Sequence, residues 1–444
     1  VGDESYGLYF SLLNFSMILN IFLDLGITNY NNKNIAQHHQ LLKKHISNIV
    51  GLKFLLAAVY AIICVIVALA IGYNNVQFHL LFFLIFNQFL ISFTLYLRSN
   101  ISGLHLFSTD SLLSVLDRSL MIAICSVLLF TNITGQAFRI EWFVYAQTAA
   151  YLITTLITFG VVLVHTGKLK FQFDRRFFMV FLKKSYPYAL LVLLMSFYNR
   201  IDSVMLERML PNGKEQAGIY AHAFRLLDAI SMFGVLFAGL LLPIFARMIK
   251  QKQEIGSMVQ FSFLLLFVPA LTFSISSGFY DLEIMQLLNY SHPELSAKIL
   301  QLLMVSFLGI ASTYIFGTLL TANGSIKQLN WMAVAGMGLN IGLNLALIPQ
   351  MQALGSAWAS LATQLFTALA QAILAARLLK LTINYRVIGK LIFFIVFTLL
   401  AGFLSLKISS WYIGFIVLMA ASLTFAFLIR LINLKALSEI IFNK

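Results

Sequence analysis

Apolar runs long enough to cross a bilayer recur along the whole of this chain, and that recurrence limits its fold more than any other feature. Thirteen are legible, at about 8–30, 49–72, 76–97, 111–131, 142–164, 185–207, 218–242, 257–278, 298–320, 327–349, 353–376, 387–406 and 411–432. About 20 helical residues span the roughly 30 Å of hydrocarbon in a bilayer. The runs are continuous, whereas the strands of a transmembrane barrel alternate over about ten residues. A helical bundle is left, because it satisfies its backbone within each segment. Composition agrees: 60% of the 444 residues are apolar and 10% charged, with a mean hydropathy of +0.89. So few polar groups cannot clothe a water-soluble fold. The sequence predicts an all-α integral membrane protein with thirteen helices.

The connections are short. The longest, around 31–48, 165–184 and 279–297, leave no room for a folded soluble domain. Cys64 and Cys125 both fall in apolar runs and read as small packing residues. The eight histidines show no ligand spacing, and "QHHQ" at 37–40 reads as a solvated pair in a basic loop. We expect neither a metal site nor a cofactor.

Basic residues gather in alternate connections. One set holds Lys33, Lys43, Lys44 and Lys53; Arg98; the six between 168 and 184; Arg247, Lys250 and Lys252; Lys327; Arg377, Lys380, Arg386 and Lys390; and Arg430, Lys435 and Lys444, which is 22 of the 30. The other set holds five: Arg139, Arg208, Lys214, Lys298 and Lys407. The richer set is cytoplasmic by the positive-inside rule. The net charge of +14 is thus a consequence of topology and no sign of a nucleic-acid partner. Anionic lipid headgroups are the only partner it implies.

With thirteen crossings and a cytoplasmic C-terminus, residue 1 lies outside, with no signal peptide ahead of it; we expect one further helix before it in the parent protein. An internal repeat supports this. "ESYGLYF" at 4–10 opens the first run and "EQAGIYA" at 215–221 opens the seventh, sharing Glu, Gly and Tyr at identical spacing 211 residues apart. A helix precedes the second copy, so one should precede the first. The parent then has fourteen helices. Residues 1–164 form a first lobe (helices 2–6), 165–184 a basic cytoplasmic linker, 185–378 a second lobe (helices 7–12) and 379–444 a terminal pair.

"YGLYFSLLNFSMILNIFLDLGITNYNNKNIA", "YNRIDSVMLERMLPNGKEQAGIYAHAFRLLDA", "LFAGLLLPIFARM" and "ALGSAWASLATQL" resemble the polysaccharide (O-antigen type) flippases of the multidrug/oligosaccharidyl-lipid/polysaccharide exporter superfamily. The resemblance covers nearly the whole chain, and the absent first helix is its one clear departure. It implies a two-lobe, inverted-V transporter, not an enzyme, in a bacterial inner membrane. Such a protein moves an undecaprenyl-diphosphate-linked oligosaccharide outward by alternating access. The polysaccharide polymerase machinery is an implied partner, and H+ or Na+ an implied coupling ion.

Charged side chains inside spans cost about 2.5 to 3.5 kcal/mol each on the insertion scale and usually face an interior or a wet cavity. Seven lie well inside: Asp24, Asp117, Arg118, Arg200, Asp202, Arg225 and Asp228. Two readings stand, a hydrophilic transport cavity or structural ion pairs between helices. On the first, Arg200, Arg225 and Arg118 are candidate diphosphate ligands, because a guanidinium offers a permanently charged fork to phosphate oxygens. Asp24, Asp202 and Asp228 are candidates for ion or proton coupling. The hairpin around "LPNGKEQAG" brings the sixth and seventh runs together, and we expect Asp202 to pair with Arg225, leaving Arg200 to face substrate. Asn340 and Asn344 share a helix face with close-packing glycines and suit either helix packing or sugar contact.

Three other functions compete: a cation-coupled multidrug antiporter and a lipid II flippase, each on this scaffold, and, from another class, an integral-membrane polysaccharide polymerase or glycosyltransferase. The last needs a catalytic loop that these short connections do not offer.

Overall fold

The computed structural model describes residues 2–27, 42–104, 106–131, 138–166, 175–288, 291–382 and 384–432. Hydrocarbon supplies no water to complete a backbone amide, so a continuous apolar run closes its hydrogen bonds within its own helix. The runs do so. The helices are α1 (Asp3–Ile18), α2 (Leu42–Ile71), α3 (Asn75–Gly103), α4 (Phe107–Phe130), α5 (Ile140–Thr166), α6 (Arg175–Met209), α7 (Gly213–Lys250), α8 (Gly256–Phe279), the short α9 (Asp281–Leu287), α10 (Pro293–Ala322), α11 (Ile326–Leu378), α12 (Tyr385–Ser405) and α13 (Trp411–Leu428).

Eleven of them are individually long and apolar enough to cross a membrane. The other two runs are accounted for by α11, whose 53 residues hold two runs, and by α1, only 16 residues long and followed by a 3-10 turn at Asn20–Leu23. The protein is a multi-pass integral membrane protein. Its surface is apolar, with Ile66, Phe82 and Leu400 between 59% and 69% exposed, while Asn14, Asn340 and Asn344 are at most 1% exposed.

Two connections are shorter than expected. Helix α2 starts at Leu42 and α6 at Arg175, so parts of 31–48 and 165–184 are helical. The connection 279–297 contains α9. Residues 28–41 and 167–174, which include the "QHHQ" pair, lie outside the described residues. The chain divides into two compact units, Val1–Val204 and Met205–Lys444, so the division falls within α6.

In the first unit, hydrogen bonds report helix direction. Tyr60 on α2 donates to the Ser16 carbonyl at 2.9 Å, and Lys53, two turns earlier on α2, donates to the Leu23 carbonyl at 3.1 Å. α1 and α2 are therefore antiparallel. α3 and α5 are parallel, since His79 meets Tyr145 at 2.9 Å and Thr94 meets Thr155 at 2.8 Å. Consecutive helices oppose and next-but-one helices agree, as repeated crossing of one bilayer requires.

The second unit obeys the same rule once the seven-residue α9, too short to cross, is set aside. Ser274 on α8 donates to the Met304 carbonyl of α10 at 2.7 Å, and Gln301 donates back to the Gly278 carbonyl at 3.4 Å, an antiparallel pair. Gly309 and Gly317 of α10 lie against Gln364 and Gln371 of α11, so close that a Cβ on either would come within 2.8 Å of the facing residue. Backbone approach through small residues is how helices gain packing where lipid is as apolar as their side chains.

Between its two runs α11 folds back at Gln352, which has φ 52° and ψ −131°. Twelve residues of straight helix would separate Asn344 from Ser356 by about 18 Å, yet the Ser356 hydroxyl donates to Asn344 Oδ1 at 2.8 Å. Asn344 Nδ2 donates in turn to the carbonyl and side-chain oxygens of Asn340, at 3.0 and 3.2 Å. Gln216 of α7 accepts the Ala353 amide at 3.3 Å. The two asparagines thus tie the reversal together, as the packing reading expects. Both halves of the sequence repeat open a helix, α1 and α7, and bury the shared glycine and tyrosine, Gly7 with Tyr9 and Gly218 with Tyr220.

Candidate functional site

The first polar cluster forms where α1 breaks. After the 3-10 turn, Leu25 and Gly26 both take positive φ, 45° and 85°, which leaves the Leu23 carbonyl without a helical partner. Lys53 completes it. Its ammonium, on a side chain 1% exposed, donates to the Leu23 carbonyl at 3.1 Å, to Ser92 Oγ at 3.2 Å and to the Asp24 carboxylate. An ammonium has three N–H donors, and three acceptors meet it here. It also lies 5.8 Å from the Tyr96 ring centroid.

Charge patterning alone places Lys53 in a cytoplasmic connection. The structure corrects this: Lys53 lies in a bundle interior, tolerated because its charge is paired and fully hydrogen-bonded. The run at 49–72 already encloses it. For Asp24, the structural ion pair is the arrangement seen.

A second cluster joins α1 to α6. Arg200 Nη1 donates to Asn14 Oδ1 at 2.9 Å, and Asn14 Nδ2 donates to Ser203 Oγ at 2.9 Å. Arg200 is half-buried, while Asn14 and Asp202 are each 1% exposed. Asn14 thereby orients the guanidinium through one of its five donors. Sequence reasoning misses Asn14, although the 211-residue repeat offers a signal: Asn14 stands in register with Arg225.

The third cluster lies among α3, α4 and α5. Arg98 Nε donates to Asp110 Oδ1 at 2.7 Å, and the pair is only about one-fifth exposed. Arg98 too is corrected, since five residues before the end of α3 it turns to Asp110 and is only 21% exposed. Without Lys53 and Arg98 the basic set holds 20 of 30, and the charge asymmetry stands. Arg98, Thr94, Ser114, Asp117 and Thr154 line a cavity of about 50 Å³. Arg118 does not line it. Its side chain is 64% exposed and approaches Asp117 at 3.8 Å.

In the second unit Arg225 and Asp228 are both half-buried on α7, three residues apart and so on one helical face. Asp202 belongs to the first unit and Arg225 to the second, so the crossed pair expected between them stays a sequence expectation. Among the described residues, no three His, Cys, Asp or Glu side chains gather as they would around a metal ion.

What these clusters share is charge held inside an apolar helical bundle, and comparison with known proteins says which bundle. The family described as polysaccharide biosynthesis protein matches residues 1–249, more than half of the chain. The chain belongs to that family. No protein of curated function matches it in sequence. Among solved structures, a multidrug resistance MATE family transporter of the MOP superfamily, inward-facing, has a TM-score of 0.65 at 14% identity, over 85% of this chain and 91% of that one. The lipid II flippase MurJ, inward closed, has a TM-score of 0.64 at 15% identity, over 96% of each chain. The eukaryotic MATE transporter AtDTX14 has a TM-score of 0.62 at 15% identity, over 84% and 86%. At these identities the likeness establishes the fold: this member of the polysaccharide biosynthesis family has the fold of MOP superfamily transporters.

Proposed function

We propose that this protein is a flippase that carries an undecaprenyl-diphosphate-linked oligosaccharide from the cytoplasmic to the periplasmic leaflet of a bacterial inner membrane, by alternating access, for surface polysaccharide biosynthesis. The observation that carries the proposal is Arg200, a half-buried guanidinium in an apolar bundle, oriented by a buried asparagine. Keeping a permanent cation there is costly, and a diphosphate is a ligand that uses it. Family membership favours a glycan-linked substrate over a drug.

Arg225 is proposed as a phosphate ligand on the same chemical ground, and the more exposed Arg118 as a third. Asp202 and Asp228 are the carboxylates proposed to couple transport to H+ or Na+, Asp24 being engaged by Lys53. The basic connections are proposed to be cytoplasmic. Anionic lipids and a polysaccharide polymerase are the partners this reading requires.

A null strain without a redundant flippase tests the proposal, by following lipid-linked oligosaccharide across the two leaflets. We expect it to accumulate on the cytoplasmic leaflet, with Arg200→Ala, expressed at normal abundance, failing to restore export. Normal glycan export in the null strain together with new drug sensitivity would show a multidrug antiporter instead.

A further inference from the structure

Three helices of the second unit end in a basic residue held in the left-handed backbone region: Lys252 (φ 54°) after α7, Lys380 (φ 51°) after α11 and Arg430 (φ 54°) after α13. In each case the next amide closes back on the last turn. Gln253 N donates to the Met248 carbonyl at 3.0 Å, Leu381 N to Ala376 at 3.1 Å and Leu431 N to Ala426 at 2.9 Å. The same closure follows α2 and α10, with Tyr73 N donating to Ala68 at 3.1 Å and Ser325 N to Leu320 at 2.9 Å. There the left-handed residue is glycine, Gly72 (φ 81°) and Gly324 (φ 79°). Glycine is the residue without a steric penalty in this region. At three such closures, then, the chain accepts strain in order to place a long cation.

Two of these cations line one cavity. Lys252 and Lys380 border a space of about 330 Å³ together with Gln253, Thr382, Glu254 and, beneath them, the buried Ile255. The lining thus holds two lysines against a single glutamate, with a glutamine amide and a threonine hydroxyl as neutral hydrogen-bonding groups. A water molecule takes about 30 Å³ in the liquid, so a phosphate group fits with several waters. Next in the chain, the first turns of α12 expose Tyr385 and Ile388 at 78% and 42%, apolar surface on which acyl chains can lie. Lys390, on the same helix, donates to the Arg430 carbonyl at 3.4 Å, which brings the third of these basic helix ends to α12.

We propose that this cavity is a binding site for the phosphate group of an anionic lipid headgroup, held by Lys252 and Lys380. It is separate from the clusters described above and independent of what the protein transports. Anionic phosphodiesters carry one negative charge, which matches the surplus of one cation over carboxylate. Basic side chains near a membrane surface draw such lipids from the bilayer.

The double variant K252G/K380G tests the site, because glycine keeps the left-handed closures and relieves their strain, so the fold is retained. Thermal unfolding of wild type and variant would be compared in phosphatidylcholine discs with and without phosphatidylglycerol, and in detergent with and without inorganic phosphate. We expect phosphatidylglycerol to raise the wild-type midpoint and most of that shift to vanish in the variant, whose midpoint in phosphatidylcholine is no lower than that of wild type. We also expect several-fold less phosphatidylglycerol to copurify with the variant. A shift from inorganic phosphate that the variant loses would support a phosphate site filled from solution as well. If phosphatidylglycerol and phosphate shift both proteins equally, or neither, the lysines only cap their helices and the proposal is overturned.

Discussion

Lys53 shows how much one residue can decide in a membrane bundle. A buried ion pair adds little when intact, but removing one partner strands the other at a cost of about 3–5 kcal/mol. Lys53→Ala removes the ammonium from the Asp24 carboxylate and leaves the Leu23 carbonyl, where α1 breaks, with the longer 3.4 Å bond from Ser92 Oγ. We expect that variant to lose about that much stability in denaturant titrations, and Lys53→Met with Asp24→Asn to recover most of it. Equal stability of Lys53→Ala and the parent would mean that the pair holds nothing together. Asn14 poses the complementary case. It touches Arg200 through a single 2.9 Å bond, so Asn14→Ala should misorient the guanidinium and lower glycan export. An unaltered export rate at unaltered abundance would remove Asn14 from the proposed site.

At the scale of an element, the reversal in α11 concentrates the constraint. A Cβ on Gly355 would lie 2.5 Å from the Leu347 carbonyl, and backbone cannot step aside as a side chain can. Gly355→Ala should therefore destabilise the protein by roughly 1–3 kcal/mol, as overpacking does. A Cβ on Gly160, inside α5, would meet nothing within 4 Å, and Gly160→Ala should be neutral or slightly stabilising through helix propensity. Melting the two variants side by side checks this, and equal midpoints would contradict the packing argument. Gln352, at φ 52° and ψ −131°, occupies a conformation that suits glycine. Gln352→Gly should raise the unfolding free energy by about 1 kcal/mol, and a lower midpoint would show that its side chain has a role of its own.

For the molecule as a whole, the charge asymmetry of the connections predicts an orientation. Helix α7 runs 38 residues, about 57 Å at 1.5 Å per residue, so its ends must emerge on opposite sides of a bilayer. A cysteine at Asn212 should label with an impermeant thiol reagent in intact cells, and one at Lys250 should label only after permeabilisation. The reverse pattern would invert every connection in the second unit. The proposed direction of transport rests on the same charge asymmetry, which survives the loss of Lys53 and Arg98 from the basic set.

The class of fold and the approximate place of most spans follow from the order of the amino acids, although α9 matches no apolar run and α11 holds two. Each depends on local quantities: a continuous apolar run must be helical in lipid, and among the described residues eleven helices are long and apolar enough to cross a membrane. Arg200 and Asp24 stand out as charges within spans in the same way, because a charge within a run is conspicuous. What those charges meet is a matter of packing. Lys53 and Arg98 sit near the ends of their runs, where composition does not distinguish a headgroup-facing cation from one turned inward against Asp24 or Asp110. The fold-back at Gln352 is hidden for a related reason. It is held by Asn344, Ser356 and Gln216, and the last of these is brought to it from 137 residues away in sequence. Partners at that separation are chosen by the packing of helices against one another, which no single run encodes.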